Sequence, residues 1–491
     1  DVYKRQGEHI VVQGGTFYND AVLRAFEKLL GQDVIRPDVA GLMGAYGMAL
    51  ISRSRFPETH RSSLIHCKEL AALSFKKEMK RCPGCENHCL ITLTTFSDNR
   101  TFISGNRCEK GASLILTGKN VPHSGYPNIY RWKQEHLFGQ RSLSASEAVR
   151  GTVGIPLTMN MYEDFPYWHA FFTKLGYRVI TSSSQIRHIP TAAMETIPSY
   201  SECYPVKLAH AHIYDLCRKK PDMIWYPSVD RGPDEGGDHS YHCPMVTSYP
   251  ETIQANMEEI LTESDVRFMH PFIPLHSPRA LRKVLRNIFC PLGISAADIA
   301  TAQNAGETAT RNYRNALRKE TERILKEIEK NKWIGIVLAG RPYHADPAVH
   351  HGIPDLINRL GMAVLSEDGI AMISKKENPS LRVLNQWSWH SRLYKAADYV
   401  SRHPQLELVE LNSFGCGLDA IVTDQVQEIL GSHHRLYTSL KIDQSLNLGA
   451  TRIRLRSLKA AIKERFSTTQ ETSSAVYPKA PFTKEMKKAF T

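Results

Sequence analysis

No stretch of this sequence is long and apolar enough to cross a bilayer as a helix, which takes about twenty such residues. A membrane-spanning helix is therefore not expected. The start, Asp1-Val2-Tyr3-Lys4-Arg5-Gln6, lacks the hydrophobic core of a secretory signal peptide. It also lacks an initiating Met, so a chain cut from a longer parent is expected. Cysteine is scarce: ten in 491 residues cannot staple a disulfide scaffold. Cysteines that cluster in a chain without a signal point to metal and to reduced thiols in the cytoplasm. Acidic residues are outnumbered, 50 against 62 basic ones, giving a net charge of +12. Such a surface attracts nucleic acid, CoA phosphates or an acidic protein. Apart from Arg452, Arg454 and Arg456, however, the basic residues are scattered, which argues against a nucleic-acid groove. The remainder, 42% hydrophobic and 23% charged, is ordinary for a globular chain with room for two to four domains.

Alternating patterns divide the chain. Residues 7–58 read as the end of a domain: a short strand at His9–Val12, a Gln13-Gly14-Gly15-Thr16 turn, a helix over Asn19–Leu30, a strand at Val34-Ile35 and a helix over Ala40–Ile51. Residues 60–125 are polar and turn-rich, with a hairpin of Thr92–Thr95 and Thr101–Ile103 around Ser97-Asp98-Asn99. From residue 150 strands alternate with helices, the signature of a parallel sheet with both faces covered. Thr152–Leu157, a loop holding Met161-Tyr162-Glu163-Asp164, a helix from Pro166 to Leu175 and the strand Tyr177–Ile180 are echoed later. The echo runs through Trp333–Ala339, the loop Arg341-Pro342-Tyr343-His344, a helix ending at Leu360 and Met362–Leu365. Each half continues with another helix and strand: Pro205–Lys219 with Met223–Tyr226, and Ser388–Ser401 with Leu406–Leu411. Two similar α/β domains are thus expected at 150–295 and 333–466, joined by one long helix over 296–332 and followed by a loose tail at 467–491.

The sharpest local signal is Cys82-Pro83-Gly84-Cys85-Glu86-Asn87-His88-Cys89, followed after eighteen residues by Cys108. Two residues between thiolates make a knuckle whose amides face the sulfurs, and the hairpin returns the fourth thiolate. Four thiolates hold either zinc or an iron–sulfur cubane, and spacing alone does not choose. Three other cysteines are dispersed. Cys203 precedes a helix beginning at Pro205, where exposed amides acidify a thiol. Cys243, in His242-Cys243-Pro244, stands ahead of an expected short strand, and Cys416, in Gly415-Cys416-Gly417, follows an apolar strand. Ligands of open α/β sheets gather beyond the carboxyl ends of strands. Three thiolates meeting there would leave one iron of a cubane open, whereas the plain alternative for scattered cysteines is the core. The core reading suits Cys67, Cys217 and Cys290. Glu163, His344, His351, Glu367, Asp368, Asp419 and Asp424 crowd the same loops as proton donors or cofactor contacts, with turn and capping roles favoured for Asp419 and Asp424.

These segments resemble the acyl-CoA dehydratase activase-related proteins, large chains that join activator-type ATPase domains to a part related to 2-hydroxyacyl-CoA dehydratase subunits. The resemblance rests on Cys82–Cys89 with Gly105-Asn106-Arg107-Cys108-Glu109-Lys110-Gly111, on Ser201–Lys207 and His242–Pro250, and on Ala339–His344, His351–Pro354, His390–Lys395, Asn412–Asp424 and Lys441–Ser457. It implies that residues 7–58 are the last part of an actin- and hexokinase-type ATPase domain, with Gly14, Gly15 and Thr16 lining the adenosine side of a nucleotide site. The phosphate loops would lie upstream, so ATP would be used only by the full-length parent. It implies two Rossmann-like, dehydratase-subunit-type domains in which Cys203, Cys243 and Cys416 hold a [4Fe–4S] cluster. Ser228 would stand where a fourth thiolate could close that cluster. Cys82, Cys85, Cys89 and Cys108 would hold a second iron–sulfur cluster or zinc. The implied role is ATP-gated, low-potential electron transfer to a CoA-ester dehydratase or similar reductase. Implied partners are activator- or dehydratase-type proteins, with a CoA thioester as candidate ligand and oligomeric state open.

Two other readings compete. A zinc-stabilised module could use the basic surface to bind protein or nucleic acid. A sugar-kinase-like enzyme, suggested by Gly14-Gly15, is opposed by the missing phosphate loops.

Overall fold

The computed structural model describes residues 9–56, 59–61, 65–82, 89–105, 125–184, 186, 189–374, 379, 381–413, 415–444 and 448–470. It divides into two compact units, Asp1–Ser74 with Phe466–Thr491, and Phe75–Arg465.

In the first unit Val11 pairs with Ile35 as a single parallel bridge, so the two expected strands contract to one contact. The Gly-Gly turn opens a short 3-10 helix, Gly15–Tyr18, with Gly14 at φ 99°, a conformation that suits glycine. The helix Asp20–Leu30 starts where Asn19 accepts from the Ala21 amide and stops at the left-handed Gly31. A second helix spans Met43–Arg55. Neither helix has a buried residue, and Leu29, Leu42, Tyr46, Met48 and Ile51 are exposed.

The second unit begins with a three-stranded antiparallel sheet: β1 (Phe75–Arg81), β2 (Leu90–Phe96) and β3 (Thr101–Ser104). The hairpin matches expectation, with Asn99 left-handed at its turn. The first strand was not anticipated, because Phe-Lys-Lys-Glu-Met-Lys-Arg is almost wholly exposed and carries no apolar alternation.

Two four-stranded parallel sheets follow. The first contains β4 (Thr152–Ile155), β5 (Arg178–Thr181), β6 (Met223–Trp225) and β7 (Arg267–Met269), in the spatial order β5-β4-β6-β7. The second contains β8 (Gly335–Ala339), β9 (Ala363–Ser366), β10 (Leu406–Ser413) and β11 (Thr438–Ile442), in the order β11-β10-β8-β9. Numbering the strands within each sheet gives 2-1-3-4 both times, so the echo in the sequence is a repeated topology. In each, the strand order reverses between the first and third strands, the place where open α/β sheets gather ligands beyond their carboxyl ends. β8, β9 and β10 are buried along their whole length, as central parallel strands must be.

The helix Ala296–Asn331 joins the lobes as expected. Ser295 caps it by accepting from the Asp298 amide, and the left-handed Lys332 ends it. It lies so close to the helix Met161–Lys174 that a Cβ at Gly306 would come within 2.9 Å of the Tyr167 ring. That second helix begins at Met161, not Pro166: the expected loop is its first turn, and Pro166 sits inside the helix. The helix expected up to Leu360 is two short ones, Pro347–His350 and Ile353–Arg359, broken by the left-handed His351 and Gly352. The final helix, Leu448–Gln470, carries into the segment expected to be loose, and the tail from 471 lies outside the described residues. Among the described residues no helix is long and apolar enough to cross a membrane.

Candidate functional site: three helix-capping cysteines

Each dispersed cysteine caps a helix. Cys203 precedes Tyr204–Lys219, Cys243 precedes Pro244–Asn256 and Cys416 precedes Gly417–Gly431. Proline in the first turn of the first two helices fixes where they begin. Cys243 therefore opens a helix, not the strand anticipated from its neighbours. Cys243 and Cys416 occupy equivalent places, each opening the helix after the third strand of its sheet. Three helix amino ends, each with partial positive charge, thus meet the three sulfurs.

The lobes are stitched so that these ends converge. The strap 231–242 runs along the second lobe: the His239 and Tyr241 amides donate to the Asn385 and Gln386 carbonyls (3.2 and 2.9 Å), and the Ser388 amide returns to Tyr241 (3.0 Å). The Asn385 amide donates to Asp238 (2.9 Å) and the Ser388 hydroxyl to the Pro233 carbonyl (2.7 Å). This strap delivers Cys243. The Cys203 loop is delivered by a close approach at Gly415, where a Cβ would come within 2.7 Å of the Ser201 carbonyl oxygen. Gly415 also adopts φ 78°, which favours glycine. The result is that Cys203 feels the charge of both other thiols and Cys416 that of Cys243.

Burial dominates their acidity. It pushes Cys203 up to about 12 and raises Cys243 and Cys416, outweighing the amides at the helix ends. The acidified Cys203 expected from helix placement alone is thus corrected by desolvation. Among the described residues no set of three or more His, Cys, Asp or Glu is gathered as ligands of one metal ion. A cubane makes a different demand, since each cysteine sulfur binds a separate iron and the thiols stand further apart.

Arg341, at the end of β8, is the buried cation of the site. Its guanidinium pairs with Asp419 and reaches His390 (3.1 Å), while its amide donates to His344 Nδ1 (2.7 Å). Burial works against the charge, but Asp419 outweighs it and raises the Arg341 pKa. Asp419 also accepts from the Ser413 amide (2.9 Å) and is buried, so it does more than the turn chemistry favoured for it. Asp424 is exposed, in keeping with a plain role. Burial holds His344 and His390 well below the usual imidazole range and His242 down to about 4, so all three rings are neutral. Among the described residues Arg341 Nη1, the Ser413 hydroxyl and the buried Ser228 hydroxyl have no hydrogen-bond partner. Tyr204 stacks on His351 across the lobes (5.9 Å between ring centres).

Other anticipated residues fall elsewhere. Glu163 meets Arg392 and accepts from the Trp389 indole (2.9 Å). Asp368 pairs with Lys133 (2.7 Å) beside the buried Glu367, which burial raises to about 7. Cys217 is buried as expected, whereas Cys290 is exposed in a 3-10 turn at the end of its helix. The Cys67 side chain lies outside the described residues. Of the compact knuckle, Cys82 and Cys89 are joined by a Cys82 amide to Cys89 carbonyl bond (2.9 Å), and Cys85 and Cys108 lie outside the described residues. Sequence reasoning missed Arg392, Glu235 and Lys133. Arg392 stands inside the quoted stretch His390–Lys395, yet a lone arginine on a helix carries no sign of burial.

Residues 152–370 match the family model of the CoA enzyme activase uncharacterised domain. The match covers the first sheet, Cys203, Cys243, the long helix and Arg341, and ends before Cys416. Comparison with curated proteins gave no match.

Proposed function

We propose, from the CoA enzyme activase domain matched over residues 152–370, that this chain is an acyl-CoA dehydratase activase-related protein in which Cys203, Cys243 and Cys416 hold a [4Fe–4S] cluster used in ATP-gated, low-potential electron transfer to a CoA-ester dehydratase or a similar reductase. The activase domain supports a role related to acyl-CoA dehydratase activation. The observation that carries the finer reading is that three half-buried thiols, each at the start of a helix, are near enough to act on one another's charge. The donor set fits the group: soft sulfurs, one from each of three loops, with unpartnered donors at Arg341 Nη1 and Ser413 beside them. A bound cluster would supply one-electron chemistry. The chain does the rest. Three helix ends and Arg341 would offset the negative charge that three thiolates carry. Asp419 and His390 fix the guanidinium in place. Since metal binding deprotonates thiols, the raised thiol pKa values of the free site predict proton release on loading.

The full-length parent would supply ATP and its phosphate loops, and a dehydratase-type protein would be the partner. The compact knuckle is read as a second metal centre, zinc or iron–sulfur.

The test is anaerobic reconstitution with iron and sulfide, measuring iron, zinc and acid-labile sulfide per chain. Cys416→Ala should lose roughly four iron and as many sulfide relative to the unsubstituted chain. Unchanged iron in Cys416→Ala would refute the dispersed cluster and leave only the knuckle.

A further inference from the structure

Behind the wall of the three-thiol site lies a cavity of about 690 Å3. Pro342 and Ala345 line it, while Arg341, just before them, faces the thiols. The 3-10 turn Pro342–Ala345 is therefore a partition between two spaces. No cysteine lines the cavity, and its volume falls in the range of small-molecule sites.

Its interior is largely apolar and aromatic, with Leu137, Tyr162, Tyr167 and Leu317 buried in its wall and Tyr313 and Met372 half-buried. The Tyr167 hydroxyl is buried and has no hydrogen-bond partner among the described residues. Asp164, also buried in the wall, is raised to about 7 by desolvation and by neighbouring Glu163, and takes a bond from the Asn160 amide group (2.8 Å). Below about pH 7 Asp164 is a neutral hydrogen-bonding group, and the lining carboxylate of Glu307 accepts from the Gln303 amide group (2.9 Å). The buried cations are already balanced: Lys133 by Asp368, and Arg392 by Glu163 and Glu235. At the mouth Arg314 pairs with Glu235 and Arg231 with Asp230. Arg311, exposed on the long helix, has no carboxylate partner among the described residues and bonds only the Thr308 hydroxyl (3.4 Å).

The geometry points to a binding site for an organic monoanion with an apolar body, its body against the aromatic wall and its carboxylate at Arg311. A polyanion such as a nucleotide would need several unpaired cations, and only one is offered. An organic cation would meet Arg311 at the entrance. This site stands independently of the metal reading, since none of its residues touches a proposed ligand and the protein can be tested without iron.

The probe is 8-anilinonaphthalene-1-sulfonate, an aromatic body with a single anionic group, titrated into the full chain as purified. One equivalent should bind with blue-shifted emission. Octanoate should displace it and octylammonium should not. Arg311→Glu, an exposed change that spares the core, should weaken the dye roughly tenfold. Met372→Trp, which fills the cavity from a half-buried position, should abolish that equivalent. Dye held on other apolar surface survives both substitutions. The proposal is overturned if the two variants bind every equivalent as tightly as the unsubstituted chain, or if octylammonium competes as well as octanoate.

Discussion

Asp164 shows how one residue acquires chemistry that its type does not announce. Its carboxyl is buried beside Glu163, which Arg392 holds, and the Asn160 amide group and Arg392 favour its charged form. Burial and Glu163 win, lifting it from 3.8 to about 7. A carboxyl whose folded pKa lies above its unfolded one binds protons more tightly when folded. Its stabilising contribution is complete below about pH 3.8 and is lost as pH rises through about 7. The expected cost at pH 8 is on the order of 4 kcal/mol, since each unit is about 1.4 kcal/mol. Part of it is already lost at pH 5, so urea unfolding of Asp164→Asn at pH 5 and pH 8 should show roughly 2–3 kcal/mol less pH dependence than the unsubstituted chain. Parallel pH profiles would remove Asp164 as the cause. The sequence placed Glu163 and Asp164 in a loop, because Pro166 reads as a helix start. The helix in fact reaches back to Met161, and burial of the carboxyl comes from packing between lobes that local pattern does not encode.

At the scale of elements, the sheets were legible and the meeting of their ends was not. Continuous apolar runs such as Gly335–Ala339 announce buried parallel strands, and the repeated strand–helix order announced two like lobes. Pro205 and Pro244 both mark helix starts, but the second was read as leading into a strand because Met-Val-Thr-Ser-Tyr is rich in β-favouring residues. That Cys203 and Cys416 would meet depends on the backbone contact between Gly415 and Ser201, which no spacing rule reveals. Gly415→Ala tests this contact. The new methyl would press within 2.7 Å of a backbone oxygen and sit on a left-handed residue, so the two loops must part. A loss of roughly 1–3 kcal/mol is expected. A trivalent arsenical that bridges neighbouring thiols should bind the metal-free chain and lose affinity in Gly415→Ala. Equal arsenical binding and equal stability in the variant would show that the loops do not rely on this approach.

For the lobes as a whole, one buried arginine carries an unusual share of the assembly. Arg392 extends from the helix Ser388–Ser401 of the second lobe to Glu163 and Glu235 of the first, and Glu235 also takes Arg314 from the connecting helix. Arg392 is 3% exposed and Glu235 7%, so water cannot replace a lost partner. Burial opposes the Arg392 charge, but the two carboxylates overcome it and raise its pKa. A buried ion pair compared with a hydrophobic replacement of all its members is often neutral, whereas loss of one member strands the others. Arg392→Met should therefore cost about 3–5 kcal/mol, measured by urea unfolding. The triple change Arg392→Met, Glu163→Gln and Glu235→Gln should regain most of that loss, because it removes the stranded charges together with the cation. If Arg392→Met matched the unsubstituted chain, the clamp would be incidental and the lobes would be held by the Ala296–Asn331 helix and the 231–242 strap alone. If the single and triple variants lost stability equally, the shape of the arginine, not its charge, would be what joins the halves.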